Sequence, residues 1–192
     1  MQHEKKIRHK LVVLGDSITY GYPYGPEFSW VTLLAQKSGR ELVNRGINGD
    51  TTDGMRARFE RDVVADKPDA VLILGGLNDV FQSVDVQHFY DNLLHLIEQS
   101  RRHDILPVMG IEPPVGSTAE PEFQNVWKHW AEDLLPKVIR DTGVPWFDLY
   151  QPMLQDGIYI SDYTCDGVHL SLEGNRFIAG EIFRQLQNNK VL

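Results

Sequence analysis

Five strand-like runs, at 11–14, 41–44, 70–74, 105–110 and 145–148, alternate with five stretches of helical character, at 28–37, 52–65, 86–99, 121–141 and 171–187. This alternation constrains the fold more than any composition figure. Short apolar runs bounded by Gly, Pro or Asp read as strands buried on both faces. Strands that alternate with helices build a parallel sheet covered by helices. The stretch 86–99 has the clearest stripe, with Val86, Phe89, Tyr90, Leu93, Leu94 and Ile97 on one helical face. Right-handed crossovers leave few topologies. For five strands the flavodoxin-like order 2-1-3-4-5 fits, giving a three-layer α/β/α architecture.

Local signals agree. Gly39 and Gly143 stand where helix C-termini take left-handed residues. Pro136 interrupts 121–141, so a kink or break is expected there. Ser117 and Glu120 have the spacing of a capping box. No repeat, low-complexity tract or linker divides the 192 residues. One domain over 1–192 is expected, with a polar lead-in over 1–10. The longest loops are expected at 20–27, 113–120 and 151–168.

Composition removes several function classes. A net charge of −8 argues against nucleic acid or an anionic membrane as the main partner. The single cysteine, Cys165, excludes an internal disulfide and a Cys-built metal site. No apolar stretch approaches the ~18 residues of a spanning helix. Residues 1–10 lack the apolar segment of a signal peptide. The expectation is a cytoplasmic protein without stable membrane insertion.

In such a fold the carboxyl ends of the strands share one rim, where sites form. Read in order, those ends carry Gly15-Asp16-Ser17, then Arg45 to Thr52 with Gly49, then Gly75-Gly76-Leu77-Asn78-Asp79. After the fifth strand, across a loop, comes Asp166-Gly167-Val168-His169. A Ser hydroxyl is a poor nucleophile until a base takes its proton. His169 is a candidate base, and Asp166 a candidate partner that fixes its tautomer. A developing oxyanion needs donors. The Asn78 amide and the N–H groups of Gly49 and Ser17 are candidates. Each piece also has a structural use. Asp16, Ser17 or Thr19 suits a helix cap, Asn78-Asp79 a turn, and Asp166 the cap of the last helix. Their joint occurrence at one rim favours chemistry, because together they make nucleophile, base, orienter and oxyanion donors.

Gly15-Asp16-Ser17, Gly49, Gly76-x-Asn78-Asp79 and Asp166-x-x-His169 resemble, in order and spacing, the four signature blocks of the SGNH (GDSL) hydrolase family. The resemblance runs from about Leu11 to Leu186. It implies Ser17 as nucleophile, His169 as base, Asp166 as its partner, and Ser17, Gly49 and Asn78 as the oxyanion hole. The stretch from Gly46 to Thr52 is similar to the branch that hydrolyses thioesters, aryl esters and lysophospholipids. The implied activity is hydrolysis of carboxylic esters or thioesters with no metal or organic cofactor. Carbohydrate acetyl-esterases of the same family are an alternative.

No Gly-x-Ser-x-Gly elbow, Gly-rich phosphate loop or His-Glu-x-x-His motif occurs. A flavodoxin-like binding module using 15–19 as a phosphate loop would leave Asp166 and His169 without a role. A catalytically silent scaffold would have no need of all three of Ser17, Asp166 and His169. On the substrate side, the candidates are Asp16, beside Ser17, then Tyr22 and Tyr24 in the first long loop and Tyr159 in the last. Phe28 and Trp30 are expected in the core, and Cys165 is read as a bystander.

Overall fold

The computed structural model describes residues 10–116, 118–155 and 160–192. In chain order these form β1 (Lys10–Gly15), α1 (Ser17–Tyr20), α2 (Trp30–Ser38), β2 (Glu41–Gly46), α3 (Thr52–Asp62) and β3 (Ala70–Leu74). Next come α4 (Leu77–Phe81), α5 (Val86–Arg102), β4 (Leu106–Ile111), α6 (Pro121–His129), α7 (Leu135–Thr142) and β5 (Trp146–Asp148). The chain ends through α8 (Tyr150–Met153), α9 (Ile160–Tyr163) and α10 (Leu172–Asn188).

The five strands are all parallel, in the order β2-β1-β3-β4-β5. Every residue of β3 is buried. Successive strand side chains point to opposite faces, so both faces of the sheet are covered. α2 packs on α10, while α3 packs on α5 and α5 on α7. Trp30 ties α2 to α10 and to α1. Its backbone N–H donates to Asn175 Oδ1 of α10 at 2.8 Å, and its indole N–H to Ile18 O at 3.1 Å. Among the described residues, no helix is long and apolar enough to cross a membrane.

Two expectations change in detail. Phe28 is 51% exposed, not in the core. Ser29 caps α2 by accepting from Thr32 N–H, so the helix starts at Trp30 and leaves Phe28 in a short turn. At Pro136 the helix widens instead of ending. A π turn over Trp130–Leu134, with Leu135 N–H bonded to Trp130 O, precedes α7. Pro136 then falls in the first turn of α7, where its missing N–H costs nothing. Gly39 and Gly143 are left-handed helix ends as expected. Ser117, half of the expected capping box, lies outside the described residues; α6 is capped at Glu120 without a side-chain bond.

The sheet register positions the rim. Gly15 pairs with Gly46, so β1 and β2 end side by side. A Cβ on Gly46 would lie 2.2 Å from Tyr20 N and 2.7 Å from Asp16 O. The missing side chain lets α1, with Ser17 at its head, lie directly over the end of β2.

Candidate active site

Ser17 follows β1 with no intervening loop beyond Asp16. Asp16 caps α1: its Oδ1 accepts from Ile18 N–H at 2.9 Å. Asp16 is 1% exposed, and burial raises its carboxyl from the usual range to about 6. The cap turns the chain so that the Ser17 side chain leaves the sheet edge toward the last loop.

From that loop His169 reaches back. Its Nε2 lies 3.1 Å from Ser17 Oγ, and its Nδ1 lies 2.6 Å from Asp166 Oδ2. Asp166 Oδ1 accepts from the N–H groups of Val168 at 2.9 Å and His169 at 2.7 Å. Burial alone would raise the Asp166 carboxyl, but these bonds from the His169 ring and the two backbone amides outweigh it and hold the group below its usual range. The segment is tied to the loop after β4. Gly116 N–H donates to Gly167 O at 2.6 Å, and Thr118 Oγ1–H to Asp166 O at 2.9 Å. The Tyr22 ring lies against the His169 ring, with centroids 4.6 Å apart and planes tilted 59°. This contact packs Tyr22 against the imidazole ring.

Asn78 arrives from the third strand. Gly76 adopts φ 137°, a conformation that side chains disfavour, and a Cβ there would meet Trp127 and Phe89 at 3.1 and 3.2 Å. The turn sets Asn78 in α4, and its Nδ2 donates to Asp16 Oδ2 at 2.9 Å. One of the two amide hydrogens is thus fixed and the other is left for a ligand. The neighbouring Asp79 is fully buried and accepts from Thr52 N–H and Oγ1–H at the head of α3. Gly49 lies in the β2–α3 loop, at φ 76° and with open space around it. Among the described residues, the N–H groups of Ser17 and Gly49 donate to no protein acceptor.

Beside Ser17 opens a cleft of about 510 Å³ whose apolar walls are Leu77, Phe81, Ala119, Phe123 and Val168. Phe81 and Phe123 meet edge to face, with centroids 6.3 Å apart. Asp16 lies at the base of the cleft with its oxygens bonded to protein donors. Tyr22 and Tyr24 stand outside the cleft lining, and Tyr159 lies outside the described residues. Phe81 and Phe123 were not anticipated. Phe81 follows Asn78 by three residues, which on a helix puts both on one face; that spacing was the available signal. Cys165 directs its S–H to His169 O at 3.3 Å, and burial raises its thiol. It faces the backbone of His169 and not the ring. A larger cavity, about 910 Å³, lies at the opposite end of the strands against Leu11, Ala70 and Leu106. None of Ser17, Asn78, Asp166 and His169 lines it, so size does not decide the site.

Residues 13–177 match the model of the GDSL-like lipase/acylhydrolase family. The chain belongs to this family. The match contains Ser17, Gly49, Asn78, Asp166 and His169. A putative lipolytic protein of the G-D-S-L family from Desulfitobacterium hafniense superposes with a TM-score of 0.84 at 27% identity, covering 93% of this chain and 100% of that one. The thioesterase 1/protease 1/lysophospholipase L1 of Escherichia coli K12 is 27% identical over 92% of this chain and 83% of its own length. An acetylxylan esterase of Geobacillus stearothermophilus is 35% identical over 46% of this chain. The match spans about half of that esterase's length, 48%.

Proposed function

We propose that the protein is a serine hydrolase cleaving carboxylic esters or thioesters of small to medium acyl groups through an acyl-enzyme. The observation that carries this reading is the continuous line from Ser17 Oγ to His169, 3.1 Å, and from His169 to Asp166, 2.6 Å, beside an apolar cleft.

In this reading His169 Nε2 takes the Ser17 proton as Oγ attacks the acyl carbonyl carbon. Asp166 accepts from Nδ1–H, keeps the productive tautomer and stabilises the imidazolium. The oxyanion is received by the N–H groups of Ser17 and Gly49 and by the second hydrogen of the Asn78 amide. When the C–O or C–S bond breaks, His169 returns the proton to the leaving group. Water, deprotonated by His169, then attacks the acyl-Ser17 ester and releases the acid. Leu77, Phe81, Phe123 and Val168 offer the apolar wall that an acyl chain needs.

Likeness to the Escherichia coli thioesterase/lysophospholipase supports acyl esters and thioesters. Likeness to the acetylxylan esterase supports a second reading, a carbohydrate acetyl ester. Ser17→Ala is expected to leave the fold intact and to lower kcat on a p-nitrophenyl ester by roughly 10⁴-fold. A rate near that of the wild type in this variant overturns the nucleophile assignment. Rates on p-nitrophenyl esters of increasing chain length, acyl-CoA and acetylated xylo-oligosaccharides separate the two substrate classes.

A further inference from the structure

Glu112 is bonded to the residue before Asn78 and has no part in the mechanism above. It follows β4, is fully buried, and accepts from Leu77 N–H through Oε2 at 2.9 Å. Its Oε1 is buried and, among the described residues, has no hydrogen-bond donor. The Glu112 carboxyl meets the carboxyl of Asp16, the residue that also holds Asn78. Two buried carboxylates in contact repel, and among the described residues neither forms an ion pair with Lys or Arg. A single proton between them removes the repulsion and turns the orphan carboxyl into a donor.

We infer that Glu112 is a positioning residue: it carries the one proton shared with Asp16 and, through Asp16 and Leu77, aims the Asn78 amide at the oxyanion. The order of contacts supports this. Glu112 holds the Leu77 N–H at the start of α4, and Asp16 holds the Asn78 side chain one residue later. Both ends of the Leu77-Asn78 unit are therefore fixed by the same carboxyl pair. Burial and the Asp16 charge raise the Glu112 carboxyl well above its usual range, which agrees with a proton retained at neutral pH. The charged groups facing the pair do not reverse this. Asp50, from the β2–α3 loop, and Asp79, from α4, disfavour a second negative charge, and His169 favours the Asp16 anion. The pair thus carries one charge, not two, beside a site that develops negative charge.

The kinetic part of this inference rests on the proposed esterase activity, so the test has an arm independent of it. Infrared spectra of the wild type at neutral pH are expected to show a protonated-carboxyl C=O stretch that is missing from Glu112→Gln. Absence of that band in the wild type overturns the shared proton, whatever the protein hydrolyses. In the kinetic arm, Glu112→Leu is expected to lower kcat on a p-nitrophenyl ester by roughly 10–100-fold with KM within about twofold, since an aiming contact matters in the transition state. Glu112→Gln is expected to recover most of the lost rate, because its Nε2–H donates to Asp16 and its Oε1 accepts from Leu77. The wild-type kcat falls at alkaline pH as Glu112 ionises; the Gln variant, with no proton to lose, lacks that limb. Equal rates in the Leu and Gln variants, or an alkaline limb that persists in Gln, overturn the positioning role. If the Leu variant does not fold, the Gln pH profile still decides. Ser17→Ala, assayed alongside, reports separately on the esterase reading.

Discussion

Asn78 offers two amide hydrogens, and only one is committed to Asp16. Removing the amide therefore takes away a donor that is already aimed and needs no reorganisation as charge develops. Asn78→Ala is expected to lower kcat by about 10²–10³-fold, a loss of roughly 3–4 kcal/mol in transition-state stabilisation, with little change in KM. Steady-state rates on a p-nitrophenyl ester check this, and an unchanged kcat removes Asn78 from the oxyanion site. The base assignment has its own test. His169→Ala is expected to lower kcat on a p-nitrophenyl ester by about 10³-fold or more. A rate near that of the wild type in this variant speaks against His169 as base. At this scale the sequence was most legible where chemistry demands particular residue types. Ser17, Asn78, Asp166 and His169 sit at strand ends in the right order, and the structure brings them to one rim. Glu112 was not legible, and Phe81 only in part. Nothing local marks Glu112 as fully buried; the spacing from Asn78 puts Phe81, 77% exposed, on the same helix face without marking it as a cleft wall. Both properties arise only when β4, α4 and α6 converge.

Elements, unlike single residues, are positioned by what their neighbours omit. β2 ends at Gly46, with α1 lying over it. A methyl group there meets backbone atoms of Tyr20 and Asp16, which cannot rotate away as a side chain can. Gly46→Ala is therefore expected to cost about 1–3 kcal/mol, the range for overpacking a filled site, and to displace Ser17 from His169. Urea unfolding and the rate of an active-site serine label measure the two effects together. Gly39→Ala is the contrast, because open space surrounds that position and only its left-handed φ of 67° is strained. It should cost stability without slowing the label; equal labelling in both variants would sink the account of Gly46. The strand order was legible because crossover handedness and alternation leave few options. Helix ends were less so. Ser29 competes with Phe28 for the start of α2, and the π turn at Trp130–Leu134 absorbs Pro136 without ending the helix. A periodic pattern records which face is apolar, and the cap or widened turn that fixes the boundary depends on a few hydrogen bonds outside that pattern.

For the whole molecule, buried carboxyls set the pH at which the fold is most stable. Burial raises the carboxyls of Asp16, Asp50, Asp79, Glu112 and Asp148. A group whose folded pKa exceeds its unfolded value binds more protons when folded, so its stabilisation is present at low pH and is lost as pH rises through the folded value. Asp62 has the opposite sign. The hydrogen bond from Arg61, with Arg58 behind it, holds its carboxyl at about 2 against burial, so its contribution is present above about pH 4 and is lost on further acidification. The two sets place the stability maximum on the acid side of neutrality. A net charge of −8 at pH 7 adds self-repulsion in the same direction. For Asp16 alone, a rise from 3.8 to about 6 corresponds to a few kcal/mol at most, of which the part between pH 4.5 and 7.5 is about 2 kcal/mol. In a chain of this size that lowers Tm by roughly 4–8 °C across the interval. Thermal melts across pH 4.5–7.5 test this fall directly. Glu112→Gln removes one of the titrating carboxyls, so its Tm should fall less steeply than that of the wild type. A wild-type Tm that stays level or climbs over this range contradicts the raised buried carboxyls, and identical slopes for the two proteins remove Glu112 from among them.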